Sequence, residues 1–578
     1  MFDDNKPENS IKFRAKIIFA IIMFLNAILA FNLYRLQIGN AEKYILLSNK
    51  NRIRLLPILP RRGHIITADG KIIAGNMCKY KLVMEQCNEK KFNESIDLLR
   101  QCIYLNNEDD SRIAQLRKKR ASFVVIKDDL SWEEYSKLSM ILFRLNCVSI
   151  ENIYARHYQM PLEFSHVLGH MAKSGGSLQI PVGKTGVEAI FDNQLAGEAG
   201  NLQIEVNAVG KKVRIIDSQE PVAGNDIVIS IDSQLQKYIY DLLSVEKAAA
   251  AVVLDVSNGE VMAMVSIPDF DPNIISNQMA QSQWQSIVSD PLFPLINRAV
   301  SCSYPPGSIF KIVVAFAALN EKIISPTDKI FCSGGVKLDD HIFHCWNRWG
   351  HGNVNLCDAL KFSCDCYFFE IAKRLGIDVI VKYAKKFGFG VKTGIELSNE
   401  NAGLLPSQRW KFLKYGISWK PYETMIIGIG QGALLATLLQ SAAMLGKLCS
   451  GNYDFAPTLI KGGRKNMTVT PIDEKCIEII KDALYQACTS GTASRSCRTD
   501  YGIFGKTGSS QVRKIKPSEV GMNQELLPWK LRDHAFFVGC APFKIPRYVV
   551  AVFVEHGGGG AAVAAPIARK IFDRIMGK

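Results

Sequence analysis

The chain has 578 residues, 48% of them apolar and 22% charged, so it is long enough for about two or three domains and too apolar for extended disorder. Lysine and arginine outnumber aspartate and glutamate by 70 to 55, a net charge of +15. No finger, basic zipper or basic-aromatic stripe accompanies that excess, which argues against nucleic acid and for an anionic lipid or cell-wall polymer facing the charge.

Ile17 to Tyr34 carries no charge and is just long enough to span a bilayer as a helix. Lys12, Arg14 and Lys16 precede it, and no small-residue cleavage site follows. The pattern predicts a cytoplasmic tail at 1–16, a retained signal anchor at 17–35 and a single-pass topology with all later residues outside the cytoplasm. Residues 36–222 alternate short apolar runs with Gly, Pro and charged turns such as Pro60-Arg61-Arg62-Gly63. They read as a mostly β or extended module that stands the next domain off the membrane.

A second domain is expected over 223–578. It opens on the strand-like Ile227–Ile231 and a helix from about Ser233 to Leu243, capped by Asp232 or Ser233. Ala249 to Val256, the turn Ser257-Asn258-Gly259 and Glu260 to Ser266 predict a β-hairpin. Further on, Ala535–Cys540 and Tyr548–Val554 predict a strand pair, and Ala565 to Met576 a final amphipathic helix.

Between these ends lies Tyr304-Pro305-Pro306-Gly307-Ser308-Ile309-Phe310-Lys311. The prolines discourage helix before them, and Ile309 to Leu319 reads as a buried helix beginning at the serine. Ser308 and Lys311 then stand one turn apart, a hydroxyl nucleophile beside an amine that, when neutral, takes its proton. Free N–H groups at the helix start suit a developing negative charge. Downstream, Ser363 and Asp365 sit among aromatic residues in Lys361-Phe362-Ser363-Cys364-Asp365-Cys366. Ser363 suits a proton shuttle, and Asp365 suits holding substrate or orienting the network. Lys-Thr-Gly occurs at 184–186, 392–394 and 506–508. Only the last has the strand context for Lys506, Thr507 and Ser509 to receive a carboxylate while Gly508 admits close backbone approach.

Fifteen cysteines cannot all pair within one chain. Cys488 and Cys497 are the local disulfide to test first. Cys332, Cys345, His351 and Cys364 are a donor set suited to one tetrahedral Zn²⁺, with His344 an alternative to His351, and Cys357 or Cys366 alternatives to Cys364. Read as bulk, the same cysteines are small buried hydrophobes.

The ordered set Ser308-x-x-Lys311, Ser363-x-Asp365 and Lys506-Thr507-Gly508 resembles the penicillin-binding proteins and serine β-lactamases. With Pro60-Arg61-Arg62-Gly63, Trp349-Gly350-His351-Gly352 and Gly428-Ile429-Gly430-Gln431-Gly432, the whole chain is similar to the class B elongation transpeptidases. That resemblance implies an α/β fold with an antiparallel sheet drawn from both ends of the second domain around a helical insert, preceded by a dimerisation-like module. It also implies a serine acyl-enzyme that crosslinks peptidoglycan stem peptides and is trapped by β-lactams, with weak D,D-carboxypeptidase activity on the side. The N–H groups of Ser308 and Ser509 would form the oxyanion hole, and no organic cofactor is needed. Members of the family look to bind structural zinc through acidic groups, histidine and cysteine, from which Cys332 and Cys345 depart. Implied partners are a glycosyltransferase of the shape, elongation, division and sporulation (SEDS) type and scaffold proteins of the elongation complex. A septal transpeptidase, a membrane-bound β-lactam sensor and a β-lactamase are the competing readings.

Overall fold

The computed structural model describes residues 6–42, 52–85, 87–117, 123–173, 181–206, 212–276, 281–338, 341–463, 468–513, 522 and 524–578. At its start the apolar run is one helix, Lys6–Tyr34, extended by a π-turn at Arg35–Gly39. Lys12–Gly39 is long and apolar enough to cross a membrane, and none of the described residues covers its apolar stretch. Phe13, Phe19, Phe24 and Phe31 stand exposed on it, as expected for side chains that face lipid.

The chain divides into two compact units that do not follow its linear order. The first takes residues 1–61, 78–155 and 197–223, the second 62–77, 156–196 and 224–578. Within the first, Ile53–Ile58, Gly200–Val206 and Lys212–Gln219 form an antiparallel ribbon. The unit also contains the helices Glu89–Cys102, Asn107–Arg117 and Trp132–Ile141, more helix than the alternating apolar runs suggested. Each has a local cause. Asn88 caps Lys90 N–H, Asn106 and Asp109 each accept the other's backbone N–H at the start of Asn107–Arg117, Ser131 and Glu134 form a capping box, and Phe92 and Leu99 turn one helix face onto Leu82, Met84, Ile126 and Leu138. Cys87 and Cys147 are joined by a disulfide, with Cα atoms 6.1 Å apart. Cys488 and Cys497, the pair expected from sequence, are both free and buried in the other unit. Their separation made a closed loop plausible, but the structure closes the longer loop, where Glu85 N–H already donates to Cys147 O at 2.8 Å.

The second unit is built on a five-stranded antiparallel sheet of β1 (Ala249–Asp255), β2 (Val261–Ile267), β3 (Phe504–Ser510), β4 (His534–Ala541) and β5 (Tyr548–Val554), in the order β2-β1-β5-β4-β3. Period-two alternation divides the alanine-rich β1 between two cores. Ala249, Ala251 and Val253 face Leu235, Ile239, Ile571 and Phe572 on helices Ser233–Leu243 and Ala565–Ile575. Ala250, Val252 and Leu254 face the larger core of the helical insert, including Ile312, Phe316 and Phe368. Covered on both faces, β1, β2, β4 and β5 are almost wholly apolar, whereas edge strand β3 carries polar side chains. The Asp232 carboxylate caps Ser233–Leu243 by accepting from the N–H groups of Gln234 and Leu235. Strand β3 pairs with β4 alone and so forms one edge of the sheet.

A buried ion cluster holds the start of this unit. Fully buried Glu188 accepts from Arg62 Nε at 2.7 Å and from Arg156 Nε at 2.6 Å, while Arg156 also reaches Gly63 O at 2.7 Å. Removing one member of such a set leaves buried charge uncompensated. Glu188→Ala is therefore expected to cost about 3–5 kcal/mol, measured as a fall in unfolding free energy in urea. An unchanged midpoint contradicts this assignment.

Candidate active site

Ser308 sits in a 3₁₀ turn, Gly307–Ile309, and Lys311 begins the α-helix Lys311–Asn320. The helix start predicted at the serine is thus divided between two helix types, with both side chains still reaching one locus. Gly307 has φ +56°, and a Cβ there would lie 2.7 Å from Ser509 O and 3.4 Å from Ser509 N. Only glycine lets the Ser308 turn pack onto the backbone of β3.

Lys311 is completely buried. Its Nζ donates to Asp365 Oδ1 at 2.6 Å, Ser363 O at 2.9 Å and Ser363 Oγ at 3.2 Å. Ser363 Oγ in turn donates to Ser308 Oγ at 3.0 Å. The hydrogen-bonded route from the Lys311 amine to the Ser308 hydroxyl therefore runs through Ser363. This residue has φ +55°, an uncommon conformation outside glycine that costs on the order of 1–3 kcal/mol. What the strained backbone achieves is to aim the hydroxyl between the other two groups. Of the two sequence readings of Asp365, the geometry matches orientation of the network: one oxygen meets Lys311, and the other accepts Trp346 N–H at 2.8 Å.

Lys506, Thr507 and Ser509 lie on edge strand β3, in register with Val538, Phe537 and Ala535. A Cβ on Gly508 would stand 3.0 Å from Pro306 O, so close approach is a requirement here too. Lys506 is fully buried, and burial first, then the nearby Lys311 charge, lower its pKa to about 7. Its Nζ donates to Thr507 O at 3.3 Å. Ser509 O accepts from Gln431 Nε2 at 2.9 Å, and Gly430 O accepts Gly307 N–H at 2.9 Å. One glycine-flanked loop thus braces both sides of the cleft. The other Lys-Thr-Gly copies lie elsewhere: Thr185 precedes a short helix, Gly186–Ile190, and the N–H groups of Thr393 and Gly394 are held by Glu400.

Cys332, Cys345, His351 and Cys364 bring their ligand atoms within 4.8 Å of one another. The three thiols are buried, and His351 Nδ1 lies 3.6 Å from both Cys332 Sγ and Cys345 Sγ. Hydrogen bonds from Cys364 and Cys366 push the Cys345 thiol far below its ordinary pKa, while the bond to Cys345 pushes Cys364 and Cys366 up. Cys366 thus adjoins the cluster. His344 is exposed and Cys357 half-buried, and neither joins it. Three sulfurs and one imidazole at this spacing fit a tetrahedral soft-metal site. The cluster touches the site above it, since Asp365 N–H donates to Cys345 Sγ at 3.4 Å and Trp346 follows that cysteine directly.

Comparison with known proteins places this arrangement. The transpeptidase domain of penicillin-binding proteins matches residues 249–573, and the penicillin-binding protein dimerisation domain matches 57–229. The chain belongs to the penicillin-binding protein transpeptidase family and is an enzyme of it. Within that family it is a penicillin-binding protein 2 type, a D,D-transpeptidase of cell elongation. Peptidoglycan D,D-transpeptidase MrdA of Haemophilus influenzae is 32% identical over 100% of this chain and 93% of its own length. Penicillin-binding protein 2 of Helicobacter pylori, solved in complex with MreC, superposes with a TM-score of 0.78 at 26% identity, covering 90% of this chain and 99% of that one. A structure describing coordination of polymerization and crosslinking by a peptidoglycan synthase complex gives 0.72 at 27% identity, with 98% of each chain covered.

Proposed function

We propose that Ser308 is the nucleophile of peptidoglycan crosslinking. It attacks the penultimate D-alanine carbonyl of a donor stem, terminal D-alanine leaves, and the amine of an acceptor stem resolves the acyl-enzyme. The observation that carries this reading is the unbroken route Lys311–Ser363–Ser308 beside an edge strand bearing Lys506. As the neutral amine, Lys311 takes the nucleophile's proton through Ser363, the two hydroxyls turning so that Ser308 donates to Ser363 and Ser363 to Lys311, and the same route in reverse returns the proton to the leaving amine. Asp365 holds Lys311 in place, and the N–H groups of Ser308 and Ser509 take the oxyanion. Lys506 receives the terminal carboxylate, with Thr507 beside it on β3, and a β-lactam carboxylate takes the same place. Water in place of the acceptor amine gives D,D-carboxypeptidase activity. Incubation with defined stem peptides and mass analysis of the products tests this: crosslinked dimer with released D-alanine is expected, and absence of any acyl transfer contradicts it.

Recognition by Lys506 needs its ammonium form. The lowered pKa makes that form abundant below about pH 7 and scarce above it. Acylation efficiency toward a carboxylate-bearing β-lactam should therefore fall as pH rises through about 7, and this limb should disappear in Lys506→Arg, whose guanidinium stays charged. A limb that persists in that variant assigns the titration elsewhere.

Cys332, Cys345, His351 and Cys364 would hold a structural Zn²⁺; four protein ligands leave no place for an activated water. About one zinc per chain is expected in untagged wild-type protein, and Cys364→Ser should lose it with a lower melting temperature and slower acylation together. Fully active protein that lacks zinc returns these residues to the role of packed thiols.

The basic residues Lys12, Arg14 and Lys16 before the apolar helix support a topology with the amino terminus in the cytoplasm and the catalytic unit on the other face of the membrane. Scaffold proteins of the elongation complex and a SEDS-type glycosyltransferase fit as partners, because a transpeptidase of this kind joins stems on glycan that another enzyme polymerises. The relatives solved with MreC and in a peptidoglycan synthase complex support that choice.

A further inference from the structure

Thr492 lies outside all three motifs, in the turn that follows helix Glu474–Thr489. That turn is built against the segment leading into Ser363. Thr492 N–H donates to Lys361 O at 3.2 Å, and a Cβ on Gly491 would stand only 2.4 Å from the same oxygen. On its other side, Thr492 Oγ1 accepts a hydrogen bond from Thr507 Oγ1 at 3.3 Å. One half-buried residue therefore connects the segment before Ser363, through its backbone N–H, to the side chain that follows Lys506, through its hydroxyl.

Counting protons gives this contact its meaning. A threonine hydroxyl has one proton to donate, and Thr507 commits its own to Thr492. The Thr492 proton meets no protein acceptor among the described residues. A carboxylate offers about four acceptor positions, more than the buried Lys506 ammonium fills. Resting on the reading that Ser308 is acylated and Lys506 receives the carboxylate, we propose that Thr492 is a specificity-determining residue of the carboxylate subsite. Its O–H, polarised by the bond from Thr507, donates to the terminal carboxylate of the donor stem or to that of a β-lactam.

The test uses the full chain in detergent, with benzylpenicillin and its methyl ester as probes under single-turnover conditions. Mapping of the wild-type adduct comes first, because an adduct away from Ser308 overturns the parent reading independently of Thr492. Thr492→Val keeps the shape and removes the hydroxyl. It is expected to weaken saturation by benzylpenicillin about ten- to hundredfold, the value of a hydrogen bond to a charged group, with the limiting acylation rate little changed. The ester, which carries no carboxylate charge, should lose far less. Thr492→Ser should restore the acid-to-ester preference. Equal losses on acid and ester, a loss confined to the limiting rate, no loss at all, or failure of serine to restore the preference each overturn the assignment. Should Thr492→Val unfold, judged by circular dichroism, the acid-to-ester ratio of Thr492→Ala decides by the same criteria.

Discussion

Ser308→Ala is expected to abolish both penicillin acylation and stem crosslinking, a loss on the order of 10⁵- to 10⁶-fold, as for other covalent nucleophiles. The fold should survive. Ser308 is half-buried, and its Oγ accepts the bond from Ser363 without carrying a core contact. The melting temperature should therefore stay close to wild type while intact-mass spectra show no adduct. An alanine variant that still crosslinks stems removes the covalent mechanism altogether.

Lys311→Ala should be less severe, and in a way that separates chemistry from binding. Because its Nζ bonds Ser363 and Asp365 and does not sit where a carboxylate docks, the limiting acylation rate should fall about 10²- to 10⁴-fold, the range of general base catalysis. The concentration needed for saturation should change little. Stability should fall as well, since Asp365 would keep a largely buried charge with its partner gone, a defect worth about 3–5 kcal/mol. Rapid-mix acylation over a range of penicillin concentrations separates rate from saturation. A normal limiting rate makes Lys311 a structural cation only.

The groups legible in the sequence were those whose chemistry is written in local spacing. Ser308 and Lys311 are one turn apart, Ser363 and Asp365 two residues apart, and Lys506 to Ser509 contiguous on one strand. The hairpin of β1 and β2, the Asp232 cap and the terminal helix were legible for the same reason. The zinc-suited cluster was legible because its donor types are distinctive even at wide spacing, and the structure gathers Cys332, Cys345, His351 and Cys364. What escaped depends on contacts between distant segments. Trp346 acts through a backbone N–H that any residue but proline supplies, and Thr492 through a hydroxyl with no motif around it. Gln431 stood in a recognised loop, but its reach to Ser509 O exists only once the fold closes. The Cys87–Cys147 disulfide and the interleaving of residues 62–77 and 156–196 with the carboxy-terminal unit are likewise products of topology, without a local signature.

The central claim is that the route Lys311–Ser363–Ser308 makes one particular hydroxyl the acyl acceptor. Peptide mapping of the full chain after reaction with a labelled penicillin tests it most directly. The account predicts a single adduct on Ser308 in wild type, none in Ser308→Ala, and slow modification of that same residue in Lys311→Ala. An adduct on Ser363, on Ser509 or beside either of the other Lys-Thr-Gly copies would contradict it.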